Sequence, residues 1–358
     1  MGSFGLGHNA YLGVGEESSY GTIVARDKFF DLLNESMVAE HRRIEAASLN
    51  QIGIRKNRIA NGSLRFRGSV SMHLAYTDMG RFLKHALGGY VDPAAANATN
   101  GSLYDHTFTI ADALPTGLTL EIFRDTSSFY TPQGDVNKAF VYRGSKIGSM
   151  TISAEIDSFV ELSLDFIAQS EDRQAKTAAA TVLGDLDNAR NPMVFTQGFL
   201  YYGTSGMTVS ELTGAVTNGA GIAVESFSVT LDNNLEEDRG SLGSRLIREP
   251  VRSGGKLAVT GSFVADFNDF TKYDDFFNST TRTLIFVCRN GYLSATNNGY
   301  EAMILTLEDI VPTDVPINIA DEGPIKQTVN FKAYRTLTGA TLTYGELGIV
   351  LTNAQSAL

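Results

Sequence analysis

The residues best suited to acid–base or metal chemistry are five histidines, His8, His41, His73, His85 and His106. A helical zinc site needs two imidazoles one turn apart, yet no pair here stands at i, i+4 and no His-Glu-X-X-His occurs. Asp105-His106 has the types of a general base and its orienting carboxylate. It opens the strand-like HTFTI, where an edge contact is the plainer account. Cys288, the single cysteine, lies in the apolar LIFVCR, so its thiol is expected to be buried and inert. One cysteine makes neither an internal disulfide nor a cysteine-based metal site. The early glycines of GSFGLG and LGVGEESSYG follow no strand, open no apolar helix and lack Gly-Lys-Ser/Thr, so they are not a phosphate loop. No Gly-X-Ser-X-Gly elbow is present. The acidic stretches 234–238 and Asp274-Asp275 lack the ligand spacing of a calcium loop. These residues predict no enzyme, no metal and no cofactor.

Composition narrows the class. The chain has 358 residues, 43% hydrophobic and 19% charged, enough for a substantial core. Its 29 basic and 40 acidic residues leave a net charge of −11, which disfavours a protein that grips DNA by its phosphates. No apolar run of about 18 residues predicts a membrane span, and the opening MGSFGLGHNAYLG has no leader pattern. A soluble cytosolic protein is expected.

The elements that position these side chains are mainly strands. In SLRFRGSVSMHLAY (63–76), Leu64, Phe66, Val70, Met72, Leu74 and Tyr76 share one face with Gly68. Ser63, Arg65, Arg67, Ser69, Ser71 and His73 take the other, predicting a long half-buried strand. Gly68 predicts a bulge or a close backbone approach. Two further alternating runs, 150–156 and 160–166, predict strands joined near Asp157–Phe159. A helix is expected over 78–87, with Asp78 as N-cap, Phe82, Leu83, Ala86 and Leu87 inward and Gly88-Gly89 as the stop. A shorter one is expected over 269–277, with Tyr273, Phe276 and Phe277 on one face. The Ala/Thr-rich 173–182 is helix-compatible but weakly periodic, and is assigned to a connection.

The two halves look alike. GSLRFRGSVSMHL (62–74) aligns without gaps to GKLAVTGSFVADF (255–267), keeping Gly62/Gly255, Leu64/Leu257, Gly68/Gly261 and Ser69/Ser262. A short amphipathic helix follows each copy, and apolar spacing matches again around Phe166 and Phe331. This order predicts a duplication. The expected organisation is an extended N-terminal arm (1–24), a first β-sandwich (25–172), a linker (173–192) and a second β-sandwich (193–358).

Five segments carry a family resemblance: AYLGVGEESSYGT (10–22), VARDKFFDLL (24–33), HTFTIADALPTGLTLEIFRD (106–125), VTLDNNLEEDR (229–239) and VTGSFVADFND (259–269). In order along the chain they resemble the tail tube proteins of long-tailed phages. The resemblance implies a mainly β fold, here two duplicated tail-tube-type sandwiches, each with a short flanking helix, giving strands to an inter-subunit β-barrel. It implies a structural virion protein of the tail, assembled in the host cytoplasm, whose rings stack into a hollow tube for DNA delivery. Implied partners are other copies of itself, the tape-measure, tail terminator and distal tail proteins, and double-stranded DNA in non-adhesive transit. Two halves per chain favour trimeric, pseudo-hexameric rings, with hexameric rings as the alternative. A tail terminator or baseplate ring protein is a neighbouring reading, and a carbohydrate-binding sandwich is a rival of another class.

Geometry accommodates the tube. Four strands per half in three chains make about twenty-four, a wall of roughly 160 Å circumference and a bore of about 40 Å. A duplex about 20 Å across passes through it. Carboxylates and hydroxyls on that wall repel phosphate. Candidate lumen residues are therefore Ser153, Glu155, Asp157, Glu161, Ser163, Asp165, Ser228, Thr230 and Asp232, the alternative being an outer solvated face. Candidate inter-subunit residues are Tyr11, Leu12 and Tyr20 of the arm, and Arg65 and Arg67 paired with Glu236, Glu237 or Asp238 of a neighbour.

Overall fold

Period-two alternation dictates strands, and strands dominate. The computed structural model describes residues 7, 10–45, 59–93, 103–124, 138–187, 190–209, 215–252, 257–290, 300–317, 322–334 and 346–358. In the first half lie β1 (Tyr11–Glu16), β2 (Lys28–Phe30), β3 (Asn34–Glu35), β4 (Val38–Glu45), β5 (Ile59–His73), α1 (Gly80–Leu87) and β6 (Gly88–Val91). They are followed by β7 (Tyr104–Ile110), β8 (Leu118–Phe123), β9 (Lys138–Glu155), β10 (Glu161–Ala168), β11 (Ser170–Ala175) and α2 (Ala179–Leu186). The second half holds β12 (Gly198–Val209), β13 (Val216–Ile222), β14 (Val224–Asp232), β15 (Ala258–Asp266) and α3 (Thr271–Phe277). It closes with β16 (Arg282–Arg289), β17 (Ala302–Asp314), β18 (Lys326–Tyr334) and β19 (Gly348–Asn353).

Every ladder is antiparallel, and all join one open hydrogen-bonded network. The first half pairs in the order β2-β1-β8-β9-β10-β5-β4. The second pairs as β13-β12-β16-β17-β18-β15-β14. Register repeats as well: Gly68 stands opposite Phe166, and Gly261 opposite Phe331. An irregularity between Leu118 and Leu120 recurs between Arg282 and Leu284. One helix follows β5 and one follows β15.

The halves interlock through two ladders. The end of β9 pairs with β14, and β19 bridges β17 to β7. Eight strands thus run side by side from β4 through β5, β10, β9, β14, β15 and β18 to β17. Their inward rows are apolar: Val70, Leu164, Met150, Leu231, Val259, Ala333 and Ile310 are consecutive cross-strand neighbours, all buried. One core cluster extends from Leu12 to Leu351 and so spans both halves, with Phe227 stacked on Phe286 inside the second. Burying such a side chain contributes about 2 kcal/mol.

The expected strand over 63–76 forms as far as His73, with Phe66, Val70 and Met72 buried in it and Leu74 and Tyr76 buried just beyond its end. Gly68 supplies the expected close approach: a Cβ there would lie 2.5 Å from Ser36 C and 2.6 Å from Met37 Cα. The turn after β9 carries Asp157 at φ 60, and the alternation lapses there, leaving Ile156 exposed. α1 buries Phe82, Leu83, Ala86 and Leu87 and ends at Gly88, φ 98.

Several expectations need correction. Asp78 is not an N-cap: it sits at φ 65, outside the helix, with its carboxylate turned to other partners. α3 keeps only part of the expected face: Phe276 packs half-buried against the core, but Lys272 and Asp275 are buried while Tyr273 and Phe277 are exposed. Asp275 accepts from Arg282 at 2.7 and 2.9 Å and from Tyr202 at 2.8 Å, so a fixed ion pair outweighs aromatic burial. His106 is no edge residue, because β7 is paired on both sides. From Tyr11 onward the N-terminal segment is no free arm, since β1 lies between β2 and β8.

Candidate assembly and lumen surface

Antiparallel pairing puts directly opposed residues on one face. Across the sheet runs His73, Glu161, Ser153, Ser228, Ser262, Asn330 and Asp314. Beside it runs Ser71, Ser163, Thr151, Thr230, Thr260 and Lys332. A third row holds Ser69, Asp165, Ser149 and Asp232. Seven of the nine candidate lumen residues lie in these rows, Glu155 follows two residues after Ser153 on the same face, opposite Ser226, and Asp157 stands at the rim in the β9–β10 turn. Hydroxyls bond laterally: Ser71 donates to Ser163 at 3.2 Å, Thr151 and Thr230 meet at 2.9 Å, and Ser149 donates to Asp165 at 2.5 Å. Composition hid the extent of this face, which only pairing reveals; Ser69, Ser71, Ser149, Thr151, Thr260, Ser262 and Asn330 complete it.

One end of the face is a concavity of about 600 Å³ bordered by Glu40, Arg67, Asp165, Asp232 and Glu237. Here the arginines find the expected acids, but within one chain. Arg65 pairs with Asp238, and Arg67 bonds Glu40 at 2.8 Å and Glu237 at 3.1 Å. Glu236 lies near Arg239, at 3.9 Å. The segment after β14 folds back over β5, which brings 236–238 to the arginines without a second subunit.

Tyr11, Leu12 and Tyr20 are also occupied inside the chain. Tyr11 is buried and donates to Glu121 at 2.6 Å, while Leu12 belongs to the core. Glu121 also accepts from Thr177 N–H at 2.9 Å and pairs with Arg26. The Tyr20 ring lies under Lys146. Glu17, equally buried, accepts from Gly21 N–H, Gly144 N–H and the Thr119 hydroxyl at 2.8, 2.8 and 2.9 Å. These bonds tie the Gly/Glu-rich opening of the chain to β8 and β9.

A polar hub escaped sequence reasoning. Asp78 accepts from Lys28 at 2.5 Å, Arg190 at 2.9 Å and Gln355 at 2.7 Å. Arg190 also donates to Asp185 at 2.6 Å. The hub joins both ends of the chain to the connection after α2, from positions too remote for any spacing rule. His106 bonds the Tyr90 hydroxyl at 2.9 Å and the Gln355 carbonyl at 2.8 Å, a structural role. Cys288 is fully buried, and burial pushes its thiol far up. Among the described residues, no cluster of three His, Cys, Asp or Glu is placed to hold a metal.

What remains is a broad polar sheet face over an apolar core, the geometry of a wall. A family model described as phage tail tube protein matches residues 7–333. The chain belongs to that family. No curated protein matches it in sequence. As a tail tube protein it is a structural component of the virion tail, self-assembling into a tube with other tail components. No helix among the described residues of the tail tube protein is long and apolar enough to cross a membrane.

Proposed function

We propose that this chain is the major tail tube subunit, closing into rings that stack into the conduit for phage DNA. The observation that carries this reading is the eight-strand face: polar across its width, apolar beneath, and ending, among the described residues, in strand edges at β4 and at β17 beyond Ile310. Such a sheet continues from subunit to subunit and leaves its polar side facing a bore. The repeated pairing order supports two tube-type units per chain, and hence trimeric, pseudo-hexameric rings rather than hexameric ones. On this reading the units meet at the β9–β14 ladder, and the boundaries near 25–172 and 193–358 mark the repeat rather than separable domains. Assembly takes place in the host cytoplasm with tape-measure, terminator and distal tail proteins.

The proposed lumen residues are Ser153, Glu155, Asp157, Glu161, Ser163, Asp165, Ser228, Thr230 and Asp232. Hydroxyls and carboxylates hold water and offer phosphate no cation, so DNA slides past. Of the cations on the same face, Arg67 is neutralised by Glu40 and Glu237, and Lys332, at the end of its row, lies over the Tyr334 ring.

Negative-stain microscopy over a protein concentration series tests the reading. Hollow tubes with threefold end views are expected. Sixfold chain symmetry replaces the trimer by the hexamer. Single rings that never elongate favour a terminator or baseplate role, and discrete small particles at every concentration overturn the tube.

A further inference from the structure

The ladder that joins the two halves shows how one repeat receives the next. Ser149–Glu155 of β9 pairs with Ser226–Asp232 of β14. Asn233 N–H donates to Gly148 O at 2.8 Å, and Ile156 N–H to Glu225 O at 3.2 Å. Antiparallel alternation then turns the backbone groups of Gly148, Met150 and Ile152 toward β14, and those of Ser149, Thr151 and Ser153 toward β10.

β17 occupies in the second half the place of β9. Phe166 lies opposite Ile147 and Asp165 opposite Ser149, skipping Gly148. Likewise Phe331 lies opposite Pro312 and Asn330 opposite Asp314, skipping Thr313. Farther on, Leu162 faces Ile152 and Gln327 faces Ile317. Thr313, Asp314, Val315 and Pro316 therefore match Gly148, Ser149, Met150 and Thr151. At the other side β3–β4 matches β14. Ser36 O abuts the Cα of Gly68 as Ser228 O abuts that of Gly261, a Cβ on the latter meeting it at 2.5 Å. Val38, Ala39, Glu40 and His41 thus match Thr230, Leu231, Asp232 and Asn233.

The matched strands differ in one respect. β14 has β9 as its outer partner, whereas among the described residues β4 pairs with β5 alone. Beyond Ile310, β17 likewise pairs, among the described residues, with β18 alone. Resting on the ring reading above, we infer that these edges join in neighbouring copies of the chain, repeating the in-chain joint. Val38–His41 of one copy runs antiparallel to Thr313–Pro316 of the next. Val38 stands opposite Pro316, Ala39 opposite Val315, Glu40 opposite Asp314 and His41 opposite Thr313.

Local chemistry agrees with this register. Pro316 matches Thr151, whose N–H faces away from the joint, so the missing donor leaves the new ladder whole. The Ala39 N–H points outward, because the hydrogen-bonded pairs with β5 fall on the other parity: Ser36 N–H donates to Ser69 O at 2.9 Å. The outward groups of Met37 are held by Glu35 at 3.2 Å and Arg124 at 2.7 Å, so the joint begins at Val38. Glu40 carries Arg67 with it, which offsets the approach of Asp314. A head-to-tail contact of this kind closes into a ring when its rotation divides the circle.

The test is Glu40→Cys with Asp314→Cys, a non-hydrogen-bonded pair whose Cα spacing of about 4.5 Å suits a disulfide. Oxidising the assembled protein is expected to give covalent multimers ending at the ring number on non-reducing gels. Asn330→Cys in place of Asp314→Cys keeps its thiol on the same face but one strand farther from Glu40, about 9 Å away and beyond disulfide reach, and is expected to stay monomeric. Tubes that form while the first pair fails to cross-link, or cross-links no better than the second, overturn the joint and leave the tube reading standing. Absence of any ring or tube from the unsubstituted chain overturns both. As a second measurement, Ala39→Pro removes only an outward N–H. It is expected to raise the concentration needed for assembly about tenfold or more with an unchanged monomer melting curve. Unchanged assembly overturns the joint.

Discussion

Asp78 shows how much one side chain of this protein can do once its neighbours are fixed. Its carboxylate is held below the ordinary range: Lys28, Gln355 and Arg190 outweigh its burial, the largest single influence. Asp78→Ala leaves Lys28 and Arg190 without their shared counter-ion, and a loss of about 3 kcal/mol is expected, read as a lower urea midpoint. Glu16 makes the pH prediction. The hydrogen bond from His85, with help from Lys84 and against burial, lowers its pKa to about 2. A depressed carboxylate contributes stability above its unfolded value, near ~4.3, and loses it as pH falls through the folded one. The stability difference between the native chain and Glu16→Gln is therefore expected to be flat above about pH 5 and to shrink between about pH 4.5 and pH 2. Acid denaturation followed by circular dichroism checks this.

Among elements, the matching strands β5 and β15 carry the clearest sign of repetition. At Gly261 a Cβ would meet Ser228 O at 2.5 Å and Phe331 Cε2 at 2.9 Å; at Gly68 it would meet Ser36 and Met37 backbone atoms. Gly261→Ala and Gly68→Ala are each expected to cost roughly 2 kcal/mol, because strand backbone and a core ring must shift. Equal losses in urea unfolding fit equivalent positions, and a loss at only one of them separates the two. α3 teaches a different lesson. Its aromatic spacing reads as an inward face, yet only Phe276 packs against the core, because Asp275 and its bonds to Arg282 and Tyr202 take the inward side.

At the scale of the whole molecule, the wall predicts its own failure. Ser163→Lys with Ser228→Lys places cations on adjacent rows of the polar face. Tubes carrying both are expected to retain duplex DNA at low salt and release it as salt rises, whereas native tubes retain none. Filter binding across a salt series measures this, and indifference to the lysines moves the polar face to the outside of the tube.

The sequence by itself determined the half-buried strands at 63–76, 150–156 and 160–166, because a period of two needs only local chemistry. It also made legible the like strands around Gly68 and Gly261, and a polar strand face rich in Ser, Thr and acid. Tertiary structure decided the rest. Whether Arg65 and Arg67 meet their acids within a chain or across chains depends on the path of residues 233–250 over β5, which no spacing encodes. Tyr11 and Leu12 read as arm residues until β8 supplies the strand beside them. The hub at Asp78 and the edges at Val38–His41 and Thr313–Pro316 exist only after strands remote in sequence have paired, since a hydrogen-bonding edge is defined by the partner it lacks.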